Sequence, residues 1–401
     1  MLIGIDASRA NRSLRTGTEW YSFYIISNLA DLDRDNRYIL YLDKEPAADL
    51  KAAISPYPNF RFKVLKWPWR YFWTLGRLSW EMLIHRPDVL FVPAHSLPLI
   101  HPRHTVNTVH DIAFMREKAV YQKRGFSLKN DSGRGLLDFS IKLFTGGKYK
   151  SNSLDHLAWG TDFSLKHSSR IIAVSDFTRQ EIADIYPQYA EKVAVVHNGY
   201  PEELYYERRD SDTRRQVLAK YGLELPFFLY VGRLEKKKNT SALVEAFALF
   251  REAYPQKDIK LVLIGNAGYG YDEVKYIIEE FNLSRYVIIP GWVAEEDLPE
   301  IFAASLAFVF PTLHEGFGIP VLQALASGVP AVLSDLPVLR EVAGEAALFF
   351  DPRDRASIAS ALARIAQDGS LRESLRELGL ARAREFSWEK SARETLAVLE
   401  S

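Results

Sequence analysis

The stretch FFLYVGRLEKKKN, residues 227–239, joins an apolar run to a basic loop and predicts the class of fold. Five apolar residues in succession, without polar alternation, are typical of a parallel strand that is buried on both faces. The loop contains Arg233 and three lysines, and a helical pattern begins near Asn239. Cations beside a helix amino terminus attract phosphate, and a strand end is where ligands of parallel sheets bind. We therefore predict an anion site here, the alternative being a solvated basic loop.

Short apolar runs alternate with helical patterns along the whole chain, which is typical of strand–helix–strand units. The runs that predict strands are Leu2–Ala7, Tyr38–Leu42, Phe62–Leu65, Val89–Pro93, Thr105–His110, Ile171–Ser175, Val193–His197, Phe227–Gly232, Lys260–Gly265, Val287–Gly291, Ala307–Pro311, Pro330–Ser334 and Ala347–Asp351. They predict an α/β protein with two Rossmann-like, doubly wound parallel sheets. Because ligands bind at the carboxyl ends of such strands, the two domains are expected to face one another across a cleft.

The length of 401 residues fits two domains, each large enough for a full core. A charge-dense segment at 201–220, in which no buried strand can be placed, marks the predicted boundary. We expect an amino-terminal Rossmann-like domain over 1–200 and a carboxy-terminal Rossmann-like domain over 201–385. The helix of 386–401 is expected to pack back on the first domain. The chain has no cysteine, which excludes disulfides, thiolate metal sites and a cysteine nucleophile.

Charge is divided unevenly, although 51 basic side chains balance 51 acidic ones overall. Residues 1–200 carry 27 Lys and Arg against 20 Asp and Glu, and the remaining residues carry 24 against 31. This division argues against an evenly charged nucleic-acid binder, and no nucleic-acid motif is present. No apolar run is long enough to span a membrane, and the amino terminus has no signal-peptide pattern. We expect a cytoplasmic protein, free or peripheral on the inner face of the membrane.

A basic and aromatic segment at residues 51–80 predicts contact with an anionic membrane surface. It has six basic residues, no acidic residue and nine aromatic rings, including Trp67, Trp69, Trp73 and Trp80. Cations meet anionic lipids, and aromatic rings favour the interface. The alternative is a helix that buries an aromatic face. A second basic stretch, residues 116–170, is interpreted as largely loop.

Three shorter segments are candidate binding sites. In HEGFGIP, residues 314–320, two glycines let backbone amides approach a ligand, and Glu315 can accept hydrogen bonds from sugar hydroxyls. A structural turn with a capping acid is the alternative. Gly17 lies before a helix but lacks a GxGxxG context, which disfavours nicotinamide binding and is more usual for a tight turn. His110, with Asp111 beside it, ends a strand; it is either a reactive group or a structural histidine.

In order and spacing, these elements resemble the retaining glycosyltransferases of family 4. The matching segments are RTGTEWY, NTVHDIAF, IIAVSDFTR and VVHNG before residue 200, and YVGRLEKKKN, LVLIG, VIIPGWV, AFVFPTLHEGFGIPVLQALASGVPAV, REVAG and AALFFDP after it. The resemblance covers nearly the whole chain. It implies the GT-B fold and a nucleotide diphosphate sugar as donor. It also implies that the domain over 1–200 binds the acceptor and the domain over 201–385 binds the nucleotide sugar.

The resemblance also implies roles for individual residues. Arg233 and Lys238 are expected to contact the donor diphosphate, which would stabilise charge on the leaving phosphate. Glu315 is expected to bind donor-sugar hydroxyls and His110 to lie beside the reacting sugar. Gly17 would lie beside the phosphates or the acceptor. Matching positions expected along the donor are Gly232, Gly316, Phe317, Gly318 and Ile319.

One position departs from the family pattern. Family members typically have a second glutamate eight residues after the first, which binds the ribose, and this chain has Gln323 there. Glutamine keeps an acceptor oxygen but loses the charge, so we expect nucleotide binding to be retained but weakened or altered.

The resemblance implies a front-face mechanism without a metal ion or an enzyme nucleophile. The one DxD pattern, Asp31-Leu32-Asp33, is interpreted as a solvated helix end and not as a metal site. We expect no cofactor.

The predicted function is transfer of a hexose from a nucleotide diphosphate sugar to a glycan or lipid-linked saccharide. Mannose from GDP-mannose is favoured, on resemblance alone. The alternatives are transfer to a soluble sugar phosphate, epimerisation of the nucleotide sugar, and a catalytically silent saccharide-binding subunit.

Overall fold

The computed structural model describes residues 1–68, 73–115, 153–208 and 212–401. Within them the chain divides into two compact units. Unit 1 comprises residues 1–198 and 388–401, and unit 2 comprises residues 199–387.

Unit 1 is built on a seven-stranded sheet. Its strands are β1 (Leu2–Asp6), β2 (Arg37–Leu42), β3 (Phe60–Val64), β4 (Val89–Val92), β5 (His104–Val109), β6 (Arg170–Ala173) and β7 (Val193–Val195). All neighbours are parallel, in the order β3-β2-β1-β4-β5-β6-β7. The described helices of residues 1–198 are α1 (Gly17–Leu32), α2 (Ala48–Ile54), α3 (Ser79–Ile84), α4 (Ser153–His167) and α5 (Asp176–Ile185). A π-helix at Trp73–Leu78 leads into α3, and 3-10 turns lie at Ala113–Met115 and Pro187–Lys192.

Unit 2 is built on a six-stranded parallel sheet. Its strands are β8 (Phe227–Val231), β9 (Lys260–Ile264), β10 (Val287–Gly291), β11 (Ala307–Phe310), β12 (Ala331–Ser334) and β13 (Ala347–Phe350), in the order β10-β9-β8-β11-β12-β13. The described helices are α6 (Asp212–Lys220), α7 (Thr240–Ala253), α8 (Tyr271–Glu280), α9 (Leu298–Ala304), α10 (Ile319–Ala326), α11 (Pro337–Ala343), α12 (Arg355–Gln367) and α13 (Gly369–Ala383). The central strand β11 is wholly apolar and buried, with every residue at most 1% exposed. Continuous apolar runs suit such strands because helices cover both faces of the sheet.

The last helix, α14 (Trp388–Glu400), packs on α1 of unit 1. The Trp388 ring stacks on Tyr24 with ring centroids 5.4 Å apart, and it meets the edge of Tyr21 at 5.9 Å. The chain therefore returns to unit 1 after completing unit 2.

The predicted α/β class is confirmed, and each predicted strand is present within two residues of its expected bounds. The hydrophobic run, which needs no knowledge of partners, is sufficient to place a buried parallel strand. Among the described residues, no helix combines the length and the apolar character that crossing a membrane requires.

The alternative interpretation of residues 51–80 as one helix with a buried aromatic face is wrong, and membrane contact of this segment stays a prediction. The segment contains the end of α2, the strand β3, the π-helix and the start of α3; its residues 69–72, with Trp69 and Arg70, lie outside the described part. The Trp73 indole nitrogen donates a hydrogen bond to the Leu65 carbonyl at 2.8 Å, and its ring packs on the core. Trp80, in contrast, is 60% exposed.

The prediction that the second basic stretch is largely loop is testable only over its last part. Residues 116–152 of it lie outside the described part, and its remainder forms α4 and the start of β6.

The interpretation of Asp31-Leu32-Asp33 as a solvated helix end is wrong for Asp33. Its carboxylate is 5% exposed and accepts hydrogen bonds from the Tyr38 hydroxyl at 2.5 Å and the Asn36 amide at 2.8 Å. Burial would raise the pKa of Asp33, but the hydrogen bonds from Tyr38 and Asn36 hold it below its usual value. Asp33 therefore stabilises the turn between α1 and β2 by accepting these hydrogen bonds.

Candidate active site

The basic loop after β8 is fixed along the segment that follows β9. The amide nitrogens of Gly232, Leu234 and Lys236 donate to the carbonyls of residues 264, 266 and 269, at 2.9, 3.0 and 2.7 Å. A 3-10 turn at Lys236–Lys238 then leads to Asn239, which caps α7 in a left-handed conformation, φ +58°. The loop thus continues the strand pairing beyond the sheet, which makes its position rigid.

A close approach of two backbones explains Gly265, to which the sequence assigned no role. At φ +141°, a Cβ atom at Gly265 would lie 2.0 Å from the Gly232 carbonyl oxygen. Only glycine lets the ends of β8 and β9 come this close. The available signal was a glycine directly after a strand.

The glycine-rich segment after β11 lies against the same basic loop. The Leu313 amide donates to the Lys237 carbonyl at 3.0 Å, and the Thr312 hydroxyl donates to the His314 carbonyl at 2.9 Å. Gly318, with φ +102°, caps α10, whose first residue is Ile319. The two predicted motifs of unit 2 therefore meet because β8 and β11 are neighbours in the sheet.

Lys238 and Glu315 form an ion pair where these loops meet. Their side chains are only 16% and 11% exposed, and the Lys238 ammonium lies 5.4 Å from the centre of the Phe310 ring. Burial and the charge of Glu315 raise the pKa of Tyr230, whose hydroxyl donates to the Arg233 carbonyl at 2.9 Å. Low exposure strengthens the pairing because little water screens it.

Arg233 lies on the same loop in a different environment. Its guanidinium is 60% exposed, and its Nε atom is 3.7 Å from an oxygen of Glu235. The structure therefore brings Lys238 to Glu315 and leaves Arg233 directed into solvent, where it can meet a ligand oxygen.

Phe317 and Gln323 are both buried. The Phe317 ring is 3% exposed and meets the edge of Phe386 at 5.9 Å, so what it can offer a ligand is its backbone. Gln323 is 8% exposed and lies four residues after Ile319, on the same face of α10. Gly316 precedes this face and is also buried.

In unit 1, His110 directly follows β5, and its imidazole ring is oriented by a hydrogen bond. Nε2 lies 3.2 Å from the Pro93 carbonyl, and the Tyr21 ring meets the imidazole edge-on at 4.7 Å. Burial lowers the pKa of His110 to about 4, so the ring is neutral near pH 7. Since a carbonyl only accepts, Nε2 carries the proton and Nδ1 is left as an acceptor.

Gly17 is the first residue of α1, next to the cap formed by Thr16 and Glu19. A Cβ atom built at Gly17 would meet nothing within 4 Å, and its φ is not positive. Neither packing nor backbone conformation requires glycine at this place. The missing side chain leaves open space above the amino terminus of α1.

A cavity of about 260 Å³ lies beyond the carboxyl end of β4 in unit 1. Most of its lining is apolar or aromatic: Leu75, Ser96, Leu97, Leu157, Trp159, Gly160 and Phe163. The Trp159 and Phe163 rings stack with centroids 5.6 Å apart. This cavity has room for part of a ligand and was not predicted from the sequence, because its lining residues come from three separate segments.

Comparisons with known proteins match both halves of the chain. The family described as Glycosyltransferase Family 4 matches residues 15–204, and the family described as Glycosyl transferases group 1 matches residues 211–382. An Escherichia coli protein named O-antigen chain mannosyltransferase B is 32% identical over 318 residues, which cover 78% of this chain and 80% of that protein.

Solved structures with the same fold cover the whole chain. WaaG, described as a glycosyltransferase involved in lipopolysaccharide biosynthesis, aligns with a TM-score of 0.71 at 14% identity and covers 100% of this chain and 99% of its own. Anabaena HepE in complex with UDP and glucose aligns with a TM-score of 0.67 at 17% identity, with the same coverage.

Proposed function

The chain belongs to the group 1 glycosyl transferases, which have the GT-B fold, and we propose that it transfers a hexose from a nucleotide diphosphate sugar with retention of configuration. The proposed sugar is mannose and the proposed donor is GDP-mannose, because the relative at 32% identity is named a mannosyltransferase. That relative is also named for an O-antigen chain, so the proposed acceptor is a glycan or a lipid-linked saccharide. The proposed location is cytoplasmic, at the inner face of the membrane.

The observation that carries this proposal is the little-exposed ion pair of Lys238 and Glu315 at the joined loops after β8 and β11. An ammonium group has three hydrogen-bond donors, so Lys238 can hold Glu315 and a diphosphate oxygen together. Exposed Arg233 supplies a second cation from the same loop. Glu315 then accepts hydrogen bonds from donor-sugar hydroxyls and fixes the sugar relative to the diphosphate.

The proposed chemical step needs no metal ion and no enzyme nucleophile. The acceptor hydroxyl oxygen forms a bond to the anomeric carbon on the face from which the diphosphate departs. The bond from that carbon to the phosphate oxygen breaks, and the acceptor proton passes to the departing phosphate. Arg233 and Lys238 stabilise the negative charge that grows on this phosphate. Electrostatic stabilisation of this kind is usually the largest single contribution to an enzyme's rate.

Unit 1 is proposed to hold the acceptor in the cavity beside Trp159 and Phe163. Aromatic rings suit the apolar face of a sugar or the start of a lipid chain. His110, neutral and with Nδ1 as acceptor, is proposed to take a hydrogen bond from a sugar hydroxyl rather than to transfer a proton. The open space at Gly17 is proposed to admit a phosphate or an acceptor group to the amino terminus of α1.

Two measurements test the proposal. Thermal denaturation with GDP-, UDP- and ADP-sugars is expected to give the largest stabilisation with GDP-mannose, because a specific ligand stabilises the folded state by mass action. Incubation with that donor and a saccharide acceptor is expected to give an α-linked product by NMR, with unchanged yield in the presence of a chelator.

Arg233→Ala and Glu315→Ala are expected to abolish most of this transfer. Unchanged activity in both variants would refute the proposed donor site. Donor isomerised without acceptor would identify an epimerase instead, and absence of any turnover with every donor would identify a silent binding subunit.

A further inference from the structure

Two segments of unit 1 expose large apolar side chains next to one another. On α3, Trp80, Leu83 and Ile84 are 60%, 54% and 53% exposed, and their spacing places them on one face of the helix. The residues between them, Glu81 and Met82, point into the protein and are at most 3% exposed. Leu99 and Ile100 are also exposed. We call these five exposed residues the apolar face.

The side chain of Ser79 holds the two segments together. Its hydroxyl oxygen accepts the Leu99 amide at 2.8 Å and donates to the Leu75 carbonyl at 2.5 Å. The loop that carries Leu99 and Ile100 is thus fixed to the first residue of α3. The apolar face is therefore a pre-formed surface and not two independent loops.

Basic side chains border the apolar face. Arg86 lies two residues after Ile84 and Arg103 lies three residues after Ile100, and both are exposed. The neighbouring Glu81 is buried and contacts Lys63, Arg77 and the His85 imidazole, so its charge is neutralised inside the protein. Asp88 is exposed and accepts a hydrogen bond from the Leu2 amide at 2.7 Å. Two exposed arginines against one exposed aspartate make the border net basic.

We propose that the apolar face and its basic border rest on an anionic lipid bilayer. Tryptophan and aliphatic side chains gain by entering the interfacial region, and flanking arginines are attracted to anionic headgroups. The combination of a rigid apolar patch and a cationic rim favours such a surface over a neutral partner protein. The lipid contact assigned to residues 51–80 is thereby moved to residues 80–103, with Trp80 as the one shared residue.

The apolar face adjoins the cavity of unit 1. Leu75 and Leu97 line the cavity, and the Ser79 hydrogen bonds connect both of their segments to the face. Docking would bring the cavity to the level at which a membrane-borne acceptor presents its saccharide. This consequence rests on the proposed function, whereas binding to lipid does not.

The test is flotation of the purified chain with vesicles made of equal parts phosphatidylglycerol and phosphatidylcholine, and with vesicles of phosphatidylcholine alone. We expect binding to the anionic vesicles that weakens in high salt and is much lower with the neutral ones. Leu83→Ser combined with Trp80→Ser is expected to weaken binding about tenfold, because two exposed apolar groups no longer insert. Arg86→Glu with Arg103→Glu is expected to remove the preference for anionic vesicles.

The matched control is Tyr276→Ser with Phe281→Ser, two residues of unit 2 that are 62% and 48% exposed. This variant is expected to float as the original chain does, and all variants to keep the original melting temperature. Equal loss of binding in the control, or undiminished binding of the Trp80 and Leu83 variant, would overturn the proposal. The proposal would also be overturned if light scattering showed a dimer of the original chain without vesicles, and if the Trp80 and Leu83 variant lost this dimer but floated as the original chain does. Stabilisation by nucleotide sugars, measured separately, tests the transferase and not this surface.

Discussion

The ammonium group of Lys238 lies on the carboxylate of Glu315, although 77 positions separate the two residues. Each residue follows a different strand, and the strands are neighbours in the sheet. The pair is little exposed, so removal of either charge leaves the other uncompensated. Loss of the ion pair is therefore expected to lower both the stability and the activity of the protein, and double substitution separates these two effects.

Lys238→Met is expected to lower the free energy of unfolding by about 2 kcal/mol and kcat/KM by about a hundredfold or more. Adding Glu315→Gln is expected to restore part of the stability, because the unpaired Glu315 carboxylate charge is removed. It is expected to restore none of the activity, because the donor contacts of both Lys238 and Glu315 are lost. Urea unfolding and donor turnover measure the two effects. Lys236→Met, which removes an exposed charge from the same loop, is the control and should change neither by much. Activity that recovers together with stability would make the pair purely structural.

Gly265→Ala is expected to destabilise the chain by more than about 3 kcal/mol, since its Cβ would lie 2.0 Å from a backbone oxygen that cannot move independently. Gly222→Ala is the matched control. Gly222 also has a positive φ, +63°, but an added Cβ would meet nothing within 4 Å, so the expected cost is about 1 kcal/mol. Chemical denaturation of both variants measures the difference. Equal costs would show that backbone strain, and not the close approach to Gly232, is the reason for glycine.

Gly17→Ala is expected to leave the melting temperature nearly unchanged, since open space surrounds the added methyl group. Turnover is nevertheless expected to fall about tenfold or more, because a small displacement of a reacting group is costly. Gly369→Ala, at the first residue of α13, makes the same change at a helix start in unit 2 and should leave turnover unchanged. Full activity of Gly17→Ala would mean that no ligand group uses this space.

The pH dependence of stability follows from His110. Its pKa of about 4 in the folded chain lies below the ordinary histidine value, so the unfolded chain binds more protons between about pH 6.5 and pH 4. Stability is therefore constant above this window and falls as the pH falls through it, by about 2 kcal/mol at pH 5. His110→Gln keeps a hydrogen-bond donor for the Pro93 carbonyl but cannot be protonated. It is therefore expected to lose about 2 kcal/mol less stability than the original chain between pH 7 and pH 5. Urea unfolding of both proteins at pH 7 and pH 5 gives the difference, and parallel losses would contradict the assignment.

Gln323→Glu is expected to lower the melting temperature of the chain without ligand, because the side chain is 8% exposed and would carry a buried charge. If this position binds the ribose, the same variant is expected to bind GDP several-fold more tightly, since a carboxylate is the stronger acceptor. Calorimetric titration with GDP measures the affinity. Unchanged affinity together with the lower melting temperature would place Gln323 in the core and not in the nucleotide site.

Much of this architecture could be predicted from the sequence. A buried parallel strand requires a continuous apolar run, and a run such as FFLYV is visible without any knowledge of its neighbours. The loop and the helix that follow this strand can likewise be predicted from the residues within them. The anion site after β8 was predicted from a strand end followed by a glycine and cations within one short segment, and the donor-binding roles of its residues were expected from the family resemblance.

Side-chain partners that local hydrophobicity does not reveal were decided by tertiary structure. Asp33 was predicted to be solvated, but the strand β2 brings Tyr38 over it; Trp73 was predicted to meet lipid, but the Leu65 carbonyl and the core hold it. The pairing of Lys238 with Glu315 likewise depends on strand order. The sequence by itself determined which segments are buried strands and which residue types follow them, because these depend on local hydrophobicity. Only the fold decided which side chains touch and which remain in water, because burial depends on neighbours that the chain brings from elsewhere.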